Sequence, residues 1–163
     1  MSENTANQAI SAVLESLEAA LKRGDTQAAV DLFQPDCYWR DLVAFTWNIK
    51  TLEGREQIAE MLNTQLAAIK PSRLRLADNE SATEADGVAQ GWIAFETGVA
   101  RGTGFIRLKQ GRIWTLLTTM AELKGHEEPK GPLRPMGAEH GARRDRTSWK
   151  ERREAELDAL GTA

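Results

Sequence analysis

Few residues of this chain are of types and spacings that could carry out chemistry, and Asp41 leads them. It lies in Cys37–Trp47, a stretch rich in aromatic and β-favouring residues that reads as one or two strands. A carboxylate held on a strand inside an apolar pocket is desolvated and suited to moving a proton. Proton transfer next to a carbonyl also needs a second group that donates to the developing enolate. Asp41 also suits an ion pair with Arg40, Arg55 or another cation, structural or at an interface, and both readings stand at this point. Trp39, Phe45, Trp47, Trp92 and Trp114 could line a pocket for a flat apolar ligand, fill a plain core, or present a docking surface.

The remaining candidates carry less. Gly102-Thr-Gly104-Phe-Ile-Arg107 opens like a phosphate-cradling loop but has Arg where the third glycine belongs, and it sits between two strands. It reads as a hairpin, so no cofactor-binding residues are predicted in the chain. Cys37 has no assured cationic neighbour and reads as a buried, inert thiol. His126 and His140 are 14 residues apart, each beside a glutamate, and read as solvated or interface side chains; no metal site is predicted.

The elements that must position these residues follow from periodicity. Ile10, Val13, Leu14, Leu17 and Leu21 form one apolar helical stripe, and Gly24 after Lys22-Arg23 stops it. Asp25 offers an N-cap for a short helix through Phe33, ended by Gln34-Pro35. Helical spacing returns over Glu53–Ile69, limited by Pro71. The period then drops to two over Ser72–Asn79, Val88–Thr97, Thr103–Lys109 and Arg112–Ala121, with Gln110-Gly111 as a tight turn. Helices ahead of consecutive antiparallel strands predict an α+β fold, with helices on one face of a curved antiparallel sheet. A small-molecule pocket would lie between them.

With 163 residues and 18.1 kDa, the chain is long enough to bury a core without disulfide or metal staples. Its single cysteine excludes a disulfide framework. No apolar run approaches the ~18 residues of a membrane span, and no signal-peptide pattern opens the chain, so a cytoplasmic, membrane-free protein is expected. The last 42 residues, 122–163, hold nine basic and nine acidic side chains, so the net charge of −3 lies in residues 1–121. A neutral tail suits nucleic acid poorly, and no nucleic-acid partner is expected. Residues 1–121 are expected to form the domain and 122–163 a Pro/Gly-rich arm. Within that arm, Ser148-Trp-Lys-Glu151 fits a capping box for a charged terminal helix.

The helix, helix, strand, helix, meander order, with Ala29-Val-Asp-Leu-Phe-Gln-Pro-Asp-Cys-Tyr-Trp-Arg-Asp-Leu-Val43, resembles the nuclear transport factor 2-like superfamily. That superfamily includes ketosteroid isomerases and SnoaL-like polyketide cyclases. The resemblance covers about residues 8–121 and implies a cone-shaped domain. Spaced from Asp36, Asp41 falls where the isomerases place their general base. The acid of those enzymes would fall near Gly104, and their tyrosine near Ala12, Leu14 or Leu17, so both partners are missing here.

A narrower resemblance runs through Trp39-Arg-Asp-Leu-Val-Ala-Phe-Thr-Trp47, Thr51-Leu-Glu-Gly-Arg55, Trp114-Thr-Leu-Leu-Thr118 and Glu122-Leu-Lys-Gly-His-Glu-Glu128. It continues through Glu139-His-Gly-Ala-Arg143 and Trp149-Lys-Glu-Arg-Arg153. These stretches look like the front module and linker of flavin-containing monooxygenase-type oxidoreductases. The resemblance implies a parent that uses FAD and NAD(P)H, with a C-terminal FAD domain as partner and the module itself not catalytic. The alternatives are a standalone isomerase or cyclase using Asp41, and a non-catalytic module that binds a small apolar ligand or forms a homodimer.

Overall fold

The computed structural model of the chain describes residues 3–134, 137 and 147–161. It divides into two compact units, Met1–Glu128 and Pro129–Ala163. The first is a seven-stranded sheet with helices packed on one face.

Helix α1 (Glu3–Arg23) buries the predicted stripe: Ile10, Leu14, Leu17 and Leu21 are all at most 3% exposed. Each such side chain contributes about 1.5–3 kcal/mol relative to exposure, so this face anchors the helix. Asp25 caps the short α2 (Thr26–Asp31) by accepting from the Ala28 N–H. α2 ends two residues before the predicted Phe33, because Phe33 is already drawn into β1 (Phe33–Leu42) as fully buried core. The chain loops over 43–48, returns in β2 (Ile49–Glu53), and enters α3 (Gly54–Ile69), which buries Ile58, Met61, Leu62, Leu66 and Ile69. Lys70, in the left-handed conformation, closes α3 ahead of Pro71.

β3 (Ser72–Leu76), β4 (Thr83–Ala85), β5 (Val88–Glu96), β6 (Ala100–Lys109) and β7 (Arg112–Leu123) follow. The sheet order is β2-β1-β7-β6-β5-β3, with β4 also on β5. β5, β6 and β7 form the predicted antiparallel meander, and Gln110-Gly111 turns it with positive φ at both residues (51° and 73°). The sheet is mixed rather than wholly antiparallel, because β1 pairs parallel to β7. Periodicity within a strand carries no information on which distant strand becomes its neighbour. The three-residue β4 is too short to show a period at all.

One side chain ties the helix layer to the sheet. A register shift in β3 turns Arg73 to φ 54°, and Glu18 of α1 accepts from the Arg73 N–H (2.9 Å) and the Leu74 N–H (3.0 Å). Burial raises the Glu18 pKa, but these bonds and Lys22 outweigh it and hold the carboxyl below its ordinary range. Because the folded value is depressed, this stabilisation is complete above the ordinary carboxylate range and is lost as pH falls through the folded value. Glu18→Ala should cost about 1–2 kcal/mol at pH 7 and much less near pH 3, which urea denaturation at the two pH values measures.

The first unit runs past the expected boundary at residue 121, since β7 continues to Leu123. Lys124 then donates from its backbone to Val99 and from Nζ to the Thr97 carbonyl (2.7 Å), and pairs with Glu96 (2.8 Å). Arg101 holds Glu122 (3.1 Å) and Glu127 (2.9 Å), lowering the Glu127 carboxyl to about 2.

In the second unit, Gly131–Leu133 forms one 3-10 turn and α4 (Trp149–Leu160) starts on the expected capping box: Ser148 Oγ accepts from the Glu151 N–H, and Glu151 accepts from the Ser148 N–H. No described α4 side chain is buried. Trp149, Leu157 and Leu160 are exposed, with Arg153 over the Trp149 ring at 5.3 Å. The Glu139–Arg143 run and His140 lie outside the described residues.

Candidate functional site

Alternation along β1 sends Cys37, Trp39 and Asp41 to the helix-covered face, where each is at most 1% exposed. The parallel register sets Trp39 opposite Leu116 and Asp41 opposite Thr118. A carboxylate taken out of water must find donors, and Asp41 finds four. The Phe45 N–H lies 3.1 and 3.0 Å from its two oxygens, and the Thr46 N–H lies 2.8 Å from Oδ2. The Thr46 hydroxyl donates to Oδ2 (2.7 Å) and the Thr118 hydroxyl to Oδ1 (2.8 Å). Behind Thr118, the Trp39 indole N–H donates to the same hydroxyl oxygen (2.9 Å), extending the network to a second strand position.

Neither predicted cation pairs with Asp41. Arg40 points to the opposite face and donates to Thr51, while Arg55 donates to the Phe33 carbonyl. Among the described residues Asp41 is held by neutral donors alone. Three of the four belong to the loop 43–48, so the carboxylate's work is to fasten that loop. The loop is strained: Val43 and Trp47 have φ of 58° and 54°. For a β-branched residue such as Val43 this is a genuine outlier, costing on the order of 1–3 kcal/mol.

The loop drops Phe45 (2% exposed) into the interior, edge-on to Trp39 at 4.9 Å and tilted against Phe95 at 5.8 Å. The space left among Leu17, Leu21, Trp39, Phe45, Leu74, Phe95 and their neighbours is about 10 Å³, room for about one water. Thr118 is the one polar residue lining it.

The predicted aromatic pocket is therefore split by the sheet. Trp39 and Phe45 are inside. Trp92 is 48% exposed on the other face, edge-on to Phe105, and Trp114 lies under Arg107 and Lys109 at 5.5 Å each. Trp47 is 55% exposed on the loop. Trp92 follows from alternation, because Ile93 and Phe95 take the inward positions of β5. The outer face also presents Tyr38, Arg40 and Leu117 around a shallow concavity of about 330 Å³.

Gly102 and Gly104 lie inside β6, not in the turn, and their backbones hydrogen-bond to β5 and β7, so neither cradles a phosphate. Cys37 is buried, and burial pushes its thiol up. No cluster of metal-ligating side chains occurs among the described residues. No helix among them is long and apolar enough to cross a membrane.

The profile of the SnoaL-like domain family matches residues 13–116, from the middle of α1 through α2, α3 and β1–β6 into β7. The chain belongs to that family. Among solved structures, a Mycobacterium tuberculosis protein of unknown function is similar over 72% of each chain, at 16% identity and TM-score 0.56. The canthaxanthin-binding orange carotenoid protein of Anabaena (Nostoc) is similar over 68% of this chain and 36% of its own, at 16% identity and TM-score 0.53. A nuclear transport factor 2-like protein of unknown function from Cytophaga hutchinsonii aligns over 67% of this chain and 87% of its own, at 13% identity and TM-score 0.45. Because 285 solved chains match, the likeness establishes the fold and leaves the function to the site. Among curated proteins none matches the sequence.

Proposed function

We propose that the chain is a non-catalytic SnoaL-like module that serves a larger FAD- and NAD(P)H-dependent oxidoreductase of the flavin-containing monooxygenase type. The observation that carries the non-catalytic half is the full engagement of Asp41. A general base needs a lone pair aimed at a substrate proton. Here two N–H groups and two hydroxyls occupy both oxygens, and the interior has no room for a ketone. The flavin half rests on the sequence resemblance. The exposed aromatic and arginine face of the sheet supports a module that works by docking, either on an FAD domain or on a second copy.

Both halves are open to test. Incubating the chain with small cyclic ketones in heavy water should give no α-proton exchange above buffer, and exchange abolished by Asp41→Asn would overturn the non-catalytic reading. Reading the coding frame beyond Ala163 should reveal a strand followed by Gly-x-Gly-x-x-Gly; a stop codon would overturn the flavin parent. The apolar lining of the interior favours one second reading, a small apolar ligand held there without chemistry once Phe45 is displaced. The orange carotenoid protein, to which this chain is similar in fold, binds canthaxanthin.

A further inference from the structure

The loop 43–48 combines four features that a plain connection between two strands does not need. It holds two strained, left-handed non-glycine residues, Val43 at its start and Trp47 one residue before its end. Its inner side inserts one ring, Phe45, as the stopper of an apolar interior. Its attachment converges on one carboxylate, which takes both backbone N–H groups and the hydroxyl that the loop offers inward. Its outer side is not packed: Thr46 and Asn48 line an open cleft of about 210 Å³ against Glu60, Met61, Thr64 and Gln65 of α3. Space to move into, strain that movement relieves, and inward polar bonds that converge on one carboxylate together describe a lid.

We propose that this loop is an autoinhibitory lid: Phe45 occupies the interior as an internal ligand, and Asp41 is the latch. Opening swings Phe45 toward the α3 cleft and leaves a cavity lined by Leu17, Leu21, Trp39, Leu74, Phe95 and Leu116. It also frees the Asp41 oxygen that the Thr46 groups held, while Thr118 keeps the other. The open interior thus offers apolar walls and one buried hydrogen-bond acceptor, which fits a flat apolar molecule carrying one hydroxyl. The inference rests on the latch role of Asp41 given above. Ketone turnover would defeat that role without bearing on loop exchange rates, so the two failures are distinguishable.

Amide hydrogen exchange and binding of 1-naphthol to the whole chain test it. The Phe45 and Thr46 amides should exchange at least 100-fold faster than those of Ile106 and Leu116, because the lid opens without global unfolding. Phe45→Ala, or Phe45→Leu should the alanine variant not fold, should bind 1-naphthol at least tenfold more tightly than the unaltered chain, since the internal competitor is gone. Equal exchange rates at loop and core amides, or no gain in naphthol affinity in the folded variant, overturns the proposal.

Discussion

Asp41→Ala should lower the stability of the first unit by about 4 kcal/mol, and Asp41→Asn by about half as much. The alanine variant removes the acceptor of the Phe45 and Thr46 N–H groups and of two hydroxyls, and leaves the Phe45 N–H and the Thr118 hydroxyl buried beside an interior with almost no room for water. It also leaves the left-handed turn at Val43 without the bonds that hold it. Asparagine restores one acceptor oxygen but points an NH₂ at donors, so it repairs part of the loss. For a domain of this size the alanine loss corresponds to a fall in Tm of roughly 15 °C, readable by circular dichroism. The catalytic reading predicts the reverse sign. A carboxylate kept for chemistry is commonly a stability liability, and its removal leaves stability unchanged or higher. A double-mutant cycle with Thr118→Val separates the two further. Thr118 links Asp41 to the Trp39 indole, so the pair should couple by about 1 kcal/mol or more.

The site was half legible in the sequence, and the boundary of legibility has a physical cause. Local periodicity placed α1, α3 and the three long meander strands, because their apolar faces must be buried whatever their neighbours are, while capping residues placed α2 and α4. The same alternation makes Trp39 and Asp41 share a face. What could not be read was pairing over distance. Thr118, some 77 positions from Asp41, meets it only because β7 lies parallel to β1, and nothing in either stretch specifies that register. The expected cations, Arg40 and Arg55, were the wrong partners: Arg40 faces outward and Arg55 turns to a backbone carbonyl. Thr46 was nearer to hand. An aspartate at a strand end with a threonine five residues on is a local pattern for side-chain capping of a loop, and it would have indicated a latch. Trp92 and Trp114 misled because large aromatics suggest a core, whereas here they form the outer face of the sheet.

Gly104→Ala should be as damaging as the loss of Asp41, and for a reason that bears on function. A Cβ at Gly104 would overlap the carbonyl oxygen of Leu117, a backbone atom of the neighbouring strand, and would come within 3.1 Å of Ile93 Cγ1. No rotamer change relieves a clash with backbone, so the β6–β7 ladder around the Phe105–Leu117 pair must part. The expected cost is about 4 kcal/mol or more, at the upper end for a single methyl group. Gly102→Ala is the informative contrast. The three atoms nearest its Cβ all belong to the Phe95 ring, a side chain, and so Gly102→Ala combined with Phe95→Leu should recover most of the stability that Gly102→Ala alone loses. No equivalent second substitution should rescue Gly104→Ala. Urea denaturation of the three variants measures this, and a mild effect at Gly104 would show that β7 can yield. The resemblance to the isomerases puts their acid near position 104. If β7 cannot yield to one methyl group, it cannot yield to a carboxyl side chain. The missing oxyanion partner is then excluded by the path of the backbone and could not be restored by Gly104→Asp.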